Sequence, residues 1–208
     1  ILQNIAAENN LSETAFLVPR GDEFELRWFT PGTEVDLCGH ATLASAFVLF
    51  SEAGFKGDMI RFHSKSGVLG VSREGEVLEL DFPSRPPQPC AVSDALIRGL
   101  GRTPLQVLKS RDYFAVFASE TDVRDLKPDF AALAKLDALG TIVTAPGSDC
   151  DFVSRFFAPG AGIAEDPVTG SAHCCIGPYW AGRLGKKVLL AYQASARGGV
   201  LRLNMKGS

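Results

Sequence analysis

A chain of 208 residues, 46% hydrophobic and 22% charged, can bury a full core as one large domain or as two of about 100 residues each. Its net charge of −3, scattered with no basic run, argues against a nucleic-acid partner. No run of about 18 apolar residues is present to cross a membrane, and the residues after Ile1 do not read as a signal peptide.

The predicted elements follow in chain order. Residues 2–7 predict a short helix through Leu2, Ile5 and Ala6, stopped by Asn9-Asn10. Residues 13–18 predict a strand that ends at the turn Pro19-Arg20-Gly21-Asp22. Residues 23–29 alternate charged and apolar side chains, the pattern of a half-buried strand, which Pro31-Gly32 closes. Residues 41–53 predict the first long helix. It is apolar over most of its circumference through Leu43, Ala44, Ala46, Phe47, Val48 and Leu49, and so is expected inside a wrapped sheet. Strands at 59–63, 67–72 and 77–82 follow, joined by short turns such as Arg73-Glu74-Gly75. The proline-dense stretch 83–89 reads as a linker between a first half, 1–85, and a second, 90–208. The second half predicts a helix at 94–100, strands at 104–109 and 113–118, and a helix near 129–136. Strands at 141–145 and 151–157, a second central helix at 171–184, and strands at 188–193 and 200–205 complete it. Runs of hairpin-linked strands predict an α+β fold with antiparallel sheets, and no glycine-rich nucleotide loop is present. The chain lacks an initial Met and closes on Gly207-Ser208 just after a strand, so sequence is expected to be missing at both ends.

One passage occurs twice. Arg27-Trp28-Phe29-Thr30-Pro31-Gly32 returns as Arg155-Phe156-Phe157-Ala158-Pro159-Gly160, 128 positions later (155 − 27). Cys38-Gly39-His40-Ala41-Thr42 is matched by Thr169-Gly170-Ser171-Ala172-His173 at an offset of 131 (170 − 39). A self-match with the parts in the same order predicts two pseudo-symmetric halves packed face to face. Each half would then bring a Gly-led helix start to one pocket suited to an anion.

Candidate chemistry gathers at those helix starts. Gly39 and Gly170 let a backbone approach a ligand closely, with His40 and Ser171 projecting at matched points. Asp166 lies just ahead of the second helix, its direction fixed by Pro167. Glu34 and Asp36 are weaker candidates in the first copy. Glu13, a lone acid at a strand start, reads on position alone as a solvated residue. Five irregularly spaced cysteines, with no Cys-x-x-Cys, read as free thiols in a reducing cytoplasm. His40, His63 and His173 lack metal-ligand spacing, which argues against zinc. A racemase of the two-thiol kind would need a cysteine from each half. Cys38 is matched by Thr169, and Cys174 and Cys175 fall a turn inside the helix, so that mechanism is disfavoured.

Four segments together resemble the PhzF-like (phenazine biosynthesis) family: residues 10–16 around Glu13, 27–31, 34–42 ending in Cys38-Gly39-His40-Ala41-Thr42, and Glu165-Asp166-Pro167-Val168-Thr169-Gly170-Ser171-Ala172-His173. The tail Tyr192-Gln193-Ala194-Ser195-Ala196-Arg197-Gly198-Gly199 is similar to the family's too, while residues 85–140 are generic. The resemblance implies the diaminopimelate-epimerase-like fold, in which each half is a curled, mostly antiparallel sheet around a central helix and the active site lies in the cleft between them. It implies that Glu13 is the proton-transferring acid/base and that His40, Asp166 and Ser171 line the pocket. Gly39 and Gly170 would offer amides to the substrate. No metal and no organic cofactor is expected, and a homodimer is. Family members open with a further strand that this sequence lacks, so the first half is expected to expose an apolar edge. The expected activity is cofactor-independent isomerisation of a small carboxylate-bearing metabolite, Glu13 carrying a proton with its pKa raised in a partly dry cleft. The alternatives are an epimerase or racemase of the same fold, or a catalytically silent small-molecule-binding or scaffold protein.

Overall fold

In the computed structural model, β1 (Thr14–Arg20) and β2 (Glu23–Phe29) form a hairpin whose turn passes through Gly21 at φ 63, a conformation that favours glycine. The model describes residues 1–206; Gly207 and Ser208, read above as the chain's closing residues, lie outside the described residues. Strand β1 runs on through Pro19 and Arg20, which sequence reading had placed in the turn. Pro19 is tolerated because β1 is an edge strand and its missing N–H faces no neighbour.

The chain divides into two compact units, Ile1–Pro83 and Ser84–Ser208. In the first, α1 (Leu2–Asn9) ends where Asn10 turns left-handed at φ 50. After β2 comes the two-residue β3 (Glu34–Val35), then α2 (Gly39–Ser51) and the strands β4 (Met59–Ser64), β5 (Gly67–Glu74) and β6 (Val77–Asp81). The sheet order is β1-β2-β4-β5-β6, with β3 paired to β2. The β2–β4 pairing is parallel because α2 carries the chain between them; the other pairings are antiparallel. Helix α2 touches β1 and β6, which lie at opposite edges, so the sheet curls around it. Ile60, Phe62, Leu69 and Val71 alternate with exposed or half-buried neighbours and are buried, as are Ala46, Leu49 and Phe50 of α2. The buried Thr42 and Ser45 turn their hydroxyls onto the carbonyls of Cys38 (2.5 Å) and Ala41 (2.7 Å), so neither hydroxyl goes unpaired. The helix is not buried all round: Phe47 and Val48 are 57% and 50% exposed. Its apolar face is wider than the sheet that receives it.

The second unit begins with a correction to the linker. Gln88 and Pro89 form β7 and pair with β8 (Gln106–Lys109), so the end of the proline stretch is an edge strand. Between them lies α3 (Asp94–Leu100), capped by the Ser93 side chain. Then follow β9 (Tyr113–Val116), α4 (Glu120–Arg124), α5 (Phe130–Leu133) and β10 (Thr141–Pro146). Helix α4 escaped the periodicity reading because it has only five residues, held by a capping box between Ser119 and Asp122. β11 (Phe152–Phe157), β12 (Glu165–Asp166), α6 (Gly170–Leu184), β13 (Val188–Gln193) and β14 (Gly199–Asn204) finish the unit. The order is β14-β13-β11-β10-β9-β8-β7, with parallel pairs at β9–β10 and β11–β13. The fold is therefore α+β with mixed, mostly antiparallel sheets. One face of this sheet packs Ile142, Phe152 and Phe156 on Ile176 and Trp180 of α6. The other packs Val143, Val153 and Phe157 on Leu96, Leu100 and Leu133 of α3 and α5. A sheet covered on both faces needs strands buried along their length, and β9 and β10 are, β10 up to its final Pro146.

The repeat is visible in each unit's own pairings. Phe29 pairs with Glu34 in the first and Phe157 with Glu165 in the second. Phe24 faces Phe62 in parallel, and Phe152 faces Ala191 in parallel. Arg27 forks onto Glu34 at 2.7 and 3.0 Å, and Arg155 forks onto Glu165 at 2.8 and 2.9 Å. The two forks differ in burial: the Arg27 side chain is 49% exposed, that of Arg155 only 12%. Arg155 also donates to the Leu126 carbonyl at 2.9 Å. Arg155→Ala is therefore expected to cost about 3 kcal/mol, since it strands a partly buried carboxylate and a carbonyl, and Arg27→Ala clearly less. Urea unfolding of both variants checks the difference.

Candidate active site

The first helix start is set by Cys38, whose extended backbone (φ −142, ψ 109) carries no side-chain cap, so the helix opens directly on Gly39 and His40. Glu13 arrives from the residue before β1. Its Oε2 lies 3.0 Å from His40 Nε2, and Cys38 Sγ lies 3.8 Å from His40 Nδ1. The Glu13 oxygen is buried and the contact is off-axis, so the pair is held by charge rather than by a well-aligned hydrogen bond. Glu13 was expected to have a raised pKa. The structure reverses this: interaction with His40 holds the carboxyl below its usual value and outweighs the effect of burial. Cys38 first, and Glu13 second, push His40 up to about 10. At neutral pH the pair is carboxylate and imidazolium, a base and an acid in contact.

In the second unit the chain before α6 is tied down side chain by side chain. Thr169, the residue matched to Cys38, has the same extended backbone (φ −112, ψ 95) and no side-chain cap. Its hydroxyl donates to Asp166 Oδ2 at 2.8 Å. Gln193 accepts from the Thr169 amide at 2.8 Å and donates to the Asp166 carbonyl at 2.8 Å. Gly170 and Ser171 open the helix behind Asp166. Of the six residues singled out in the sequence, the structure groups Glu13, Gly39 and His40 in the first unit and Asp166, Gly170 and Ser171 in the second. Glu34 is held by Arg27 and Lys65, which lower its pKa to about 2, and so has a structural explanation. His63 pairs with Glu23. His173 is buried and neutral, its pKa lowered to about 4 by desolvation, with Nδ1 2.7 Å from the Thr169 carbonyl.

Two contributors escaped sequence reading. In the sequence Cys38 reads only as a racemase thiol; its contact with His40 is a product of the fold. Gln193 was noted within a family-like tail but given no role. Glu13, Cys38 and His40 each offer one metal-ligand atom, all within 4.8 Å of one another. Residue spacing could not show this, because Glu13 comes from a separate element. No helix among the described residues is long and apolar enough to cross a membrane.

The model of the phenazine biosynthesis-like protein family, PhzC-PhzF, matches residues 1–208. The chain belongs to this family. It is 54% identical over 208 residues to an uncharacterized isomerase of Pseudomonas aeruginosa, covering all of this chain and 80% of that protein. A PhzF-family crystal structure from Enterococcus faecalis superposes with a TM-score of 0.92 at 48% identity, covering 100% of this chain and 80% of that one. A probable proline racemase of Agrobacterium radiobacter shares the fold at a TM-score of 0.65 and 9% identity, over 91% of this chain and 66% of that one. The chain is thus an isomerase of the PhzF type on the epimerase-like fold.

Proposed function

We propose that the protein is a cofactor-independent isomerase that moves a proton between carbons of a small carboxylate-bearing metabolite, with Glu13 as the base and His40 as its acid partner. The observation that carries this reading is the Glu13–His40 ion pair at 3.0 Å beside an uncapped helix start.

A carbon acid next to a carbonyl or carboxylate gives up its proton only if a base is within reach and the charge that moves to oxygen is met there. Glu13, held ionised, takes the proton. The electron pair of the broken C–H bond moves toward the carbonyl, and the oxygen gains negative charge. The His40 imidazolium and the Gly39 amide at the positive end of α2 meet that charge. The carboxylic acid formed at Glu13, whose O–H proton can exchange with solvent, then delivers a proton to a different carbon on the same face, and the base is regenerated. In the second unit, Gly170 and Ser171 at the start of α6 are proposed to offer donors to a carboxylate, with Asp166 beside them as an acceptor for a hydrogen-bond donor of the same ligand.

A two-base epimerase would need a second proton acceptor. The residues of the second unit matched to Cys38 and His40 are Thr169 and Ser171, whose hydroxyls are poor bases. One-base isomerisation is the reading they support. A silent binding protein has no use for a matched acid and base.

The test is an exchange assay: protein in D2O is incubated with a panel of α-substituted and α,β-unsaturated carboxylates. Protein-dependent deuterium uptake, followed by mass spectrometry and NMR, is the expected result. No uptake in any member, with binding intact, would favour the silent binder.

A further inference from the structure

The two units fasten the loop ahead of their central helix in one shared way and one unshared way. In the first, the Ser66 hydroxyl donates to the Asp36 carbonyl at 2.8 Å; in the second, the Ser195 hydroxyl donates to the Pro167 carbonyl at 2.8 Å. The two accepting carbonyls are matched positions (167 − 36, an offset of 131), and each serine lies just past the strand paired in parallel with β2 or β11. A serine strap is therefore what the fold itself uses to hold this loop.

Gln193 is additional. It faces Ser154 across the parallel pair, one step beyond Tyr192 opposite Val153. The matching step in the first unit, one beyond His63 opposite Glu25, is Ser64. Ser64 turns its hydroxyl back onto its own turn, donating to Gly67 at 2.8 Å. Gln193 instead reaches across to the Asp166–Thr169 loop and engages both ends of its amide there. Its oxygen accepts from the Thr169 amide (2.8 Å), and its nitrogen donates to the Asp166 carbonyl (2.8 Å) and Thr169 Oγ1 (3.1 Å). It is 1% exposed. Thr169 Oγ1 in turn holds the Asp166 carboxylate. Gly199 lets the returning chain lie against the same loop: a Cβ there would stand 2.4 Å from Val168 Cγ2.

We infer that Gln193 is a positioning residue that aims the start of α6, carrying Gly170 and Ser171, at a carboxylate ligand and fixes the direction of the Asp166 carboxylate beside it. This rests on the proposed role of Asp166, Gly170 and Ser171 and adds the residue on which their geometry depends. The extra clamp is found in the unit whose loop carries Asp166.

The test uses the full chain, 15N-labelled, with malonate as probe. In the wild type, malonate is expected to shift the Gly170 and Ser171 amide resonances, and the Thr169 amide is expected to exchange slowly. In Gln193→Leu, Thr169 protection should vanish and malonate affinity should fall roughly tenfold or more, at a temperature where the variant is fully folded. Gln193→Glu keeps the acceptor for the Thr169 amide but places a carboxylate against the Asp166 carbonyl. It should restore Thr169 protection and leave malonate binding weak. Ser66→Ala serves as the control for loop fastening in general and should leave malonate binding unchanged. Wild-type malonate affinity in Gln193→Leu would overturn the inference, as would an equal loss in Ser66→Ala. A wild type whose Gly170 and Ser171 amides ignore malonate would overturn the carboxylate-binding reading. Thr169 protection would then still decide the clamp: its loss in Gln193→Leu supports the clamp, and its persistence removes it.

Discussion

Glu13→Gln is expected to abolish solvent-deuterium exchange into any carboxylate the wild type turns over, a loss of at least about 10³-fold in kcat with little change in KM. The glutamine keeps the size and shape of the side chain but cannot accept a proton from carbon at neutral pH. The contact with His40 persists as a neutral one, so the loop before β1 should remain in place, and melting at neutral pH should drop only by the lost ion pair. Glu13→Asp is the sharper companion. It keeps the charge and withdraws the carboxylate by one methylene, so it should lose part of the rate while still showing exchange. Exchange at the wild-type rate in Glu13→Gln would remove Glu13 from the mechanism and leave His40 without its partner.

The repeat made the architecture legible before any coordinates. Two copies of an Arg-aromatic-aromatic passage, each followed by a Gly-led helix, correspond to β2 and α2 in one unit and β11 and α6 in the other. Long elements with clean patterns fell close to their predicted bounds. Four short elements were missed, β3, β7, β12 and α4, of two, two, two and five residues, too short for any period to register. The excess burial assigned to α2 has a different cause. Composition reports how apolar a helix is but not how much partner surface reaches it, and Phe47 and Val48 lie beyond that surface. At the site, sequence could name Glu13 only by resemblance, since a lone acid at a strand start resembles any solvated one. It also gave the wrong sign for the carboxyl's pKa. Burial was foreseeable, but the off-axis contact with His40 that overrides it depends on how the segment before β1 meets the start of α2. Gln193 was hidden for the same reason: a glutamine at a strand end shows no sign of the three partners it will reach.

The charge state of the pair fixes a pH profile that separates acid–base chemistry from simple binding. Activity needs Glu13 ionised and His40 protonated. Glu13 has its pKa lowered by His40, so the acid limb should lie below the ordinary carboxylate value of 4.5. His40 has its pKa raised to about 10 by Cys38 and Glu13, so the alkaline limb should lie near there. Between them kcat/KM should be flat from about pH 5 to about pH 9. His40→Asn should abolish the alkaline limb and lower the plateau by about 10²-fold, since the amide can donate a hydrogen bond but carries no charge to meet the developing oxyanion. It should also carry the acid limb upward: with His40 gone, burial is the main remaining influence on Glu13, and burial favours the protonated form. Stability follows with opposite signs for the two groups. Glu13, depressed in the folded state, contributes stability above its unfolded pKa and loses it as pH falls through the folded value. His40, elevated in the folded state, contributes fully below its unfolded pKa of 6.5 and loses that contribution as pH rises through about 10. The melting difference between wild type and His40→Asn should accordingly be widest at about pH 5 to 6, between the two unfolded pKa values, shrink as pH rises through neutrality toward about 10, and shrink again as Glu13 is protonated in acid. An alkaline limb that survives unchanged in His40→Asn would assign that titration to another group and break the acid–base pair on which the isomerase reading stands.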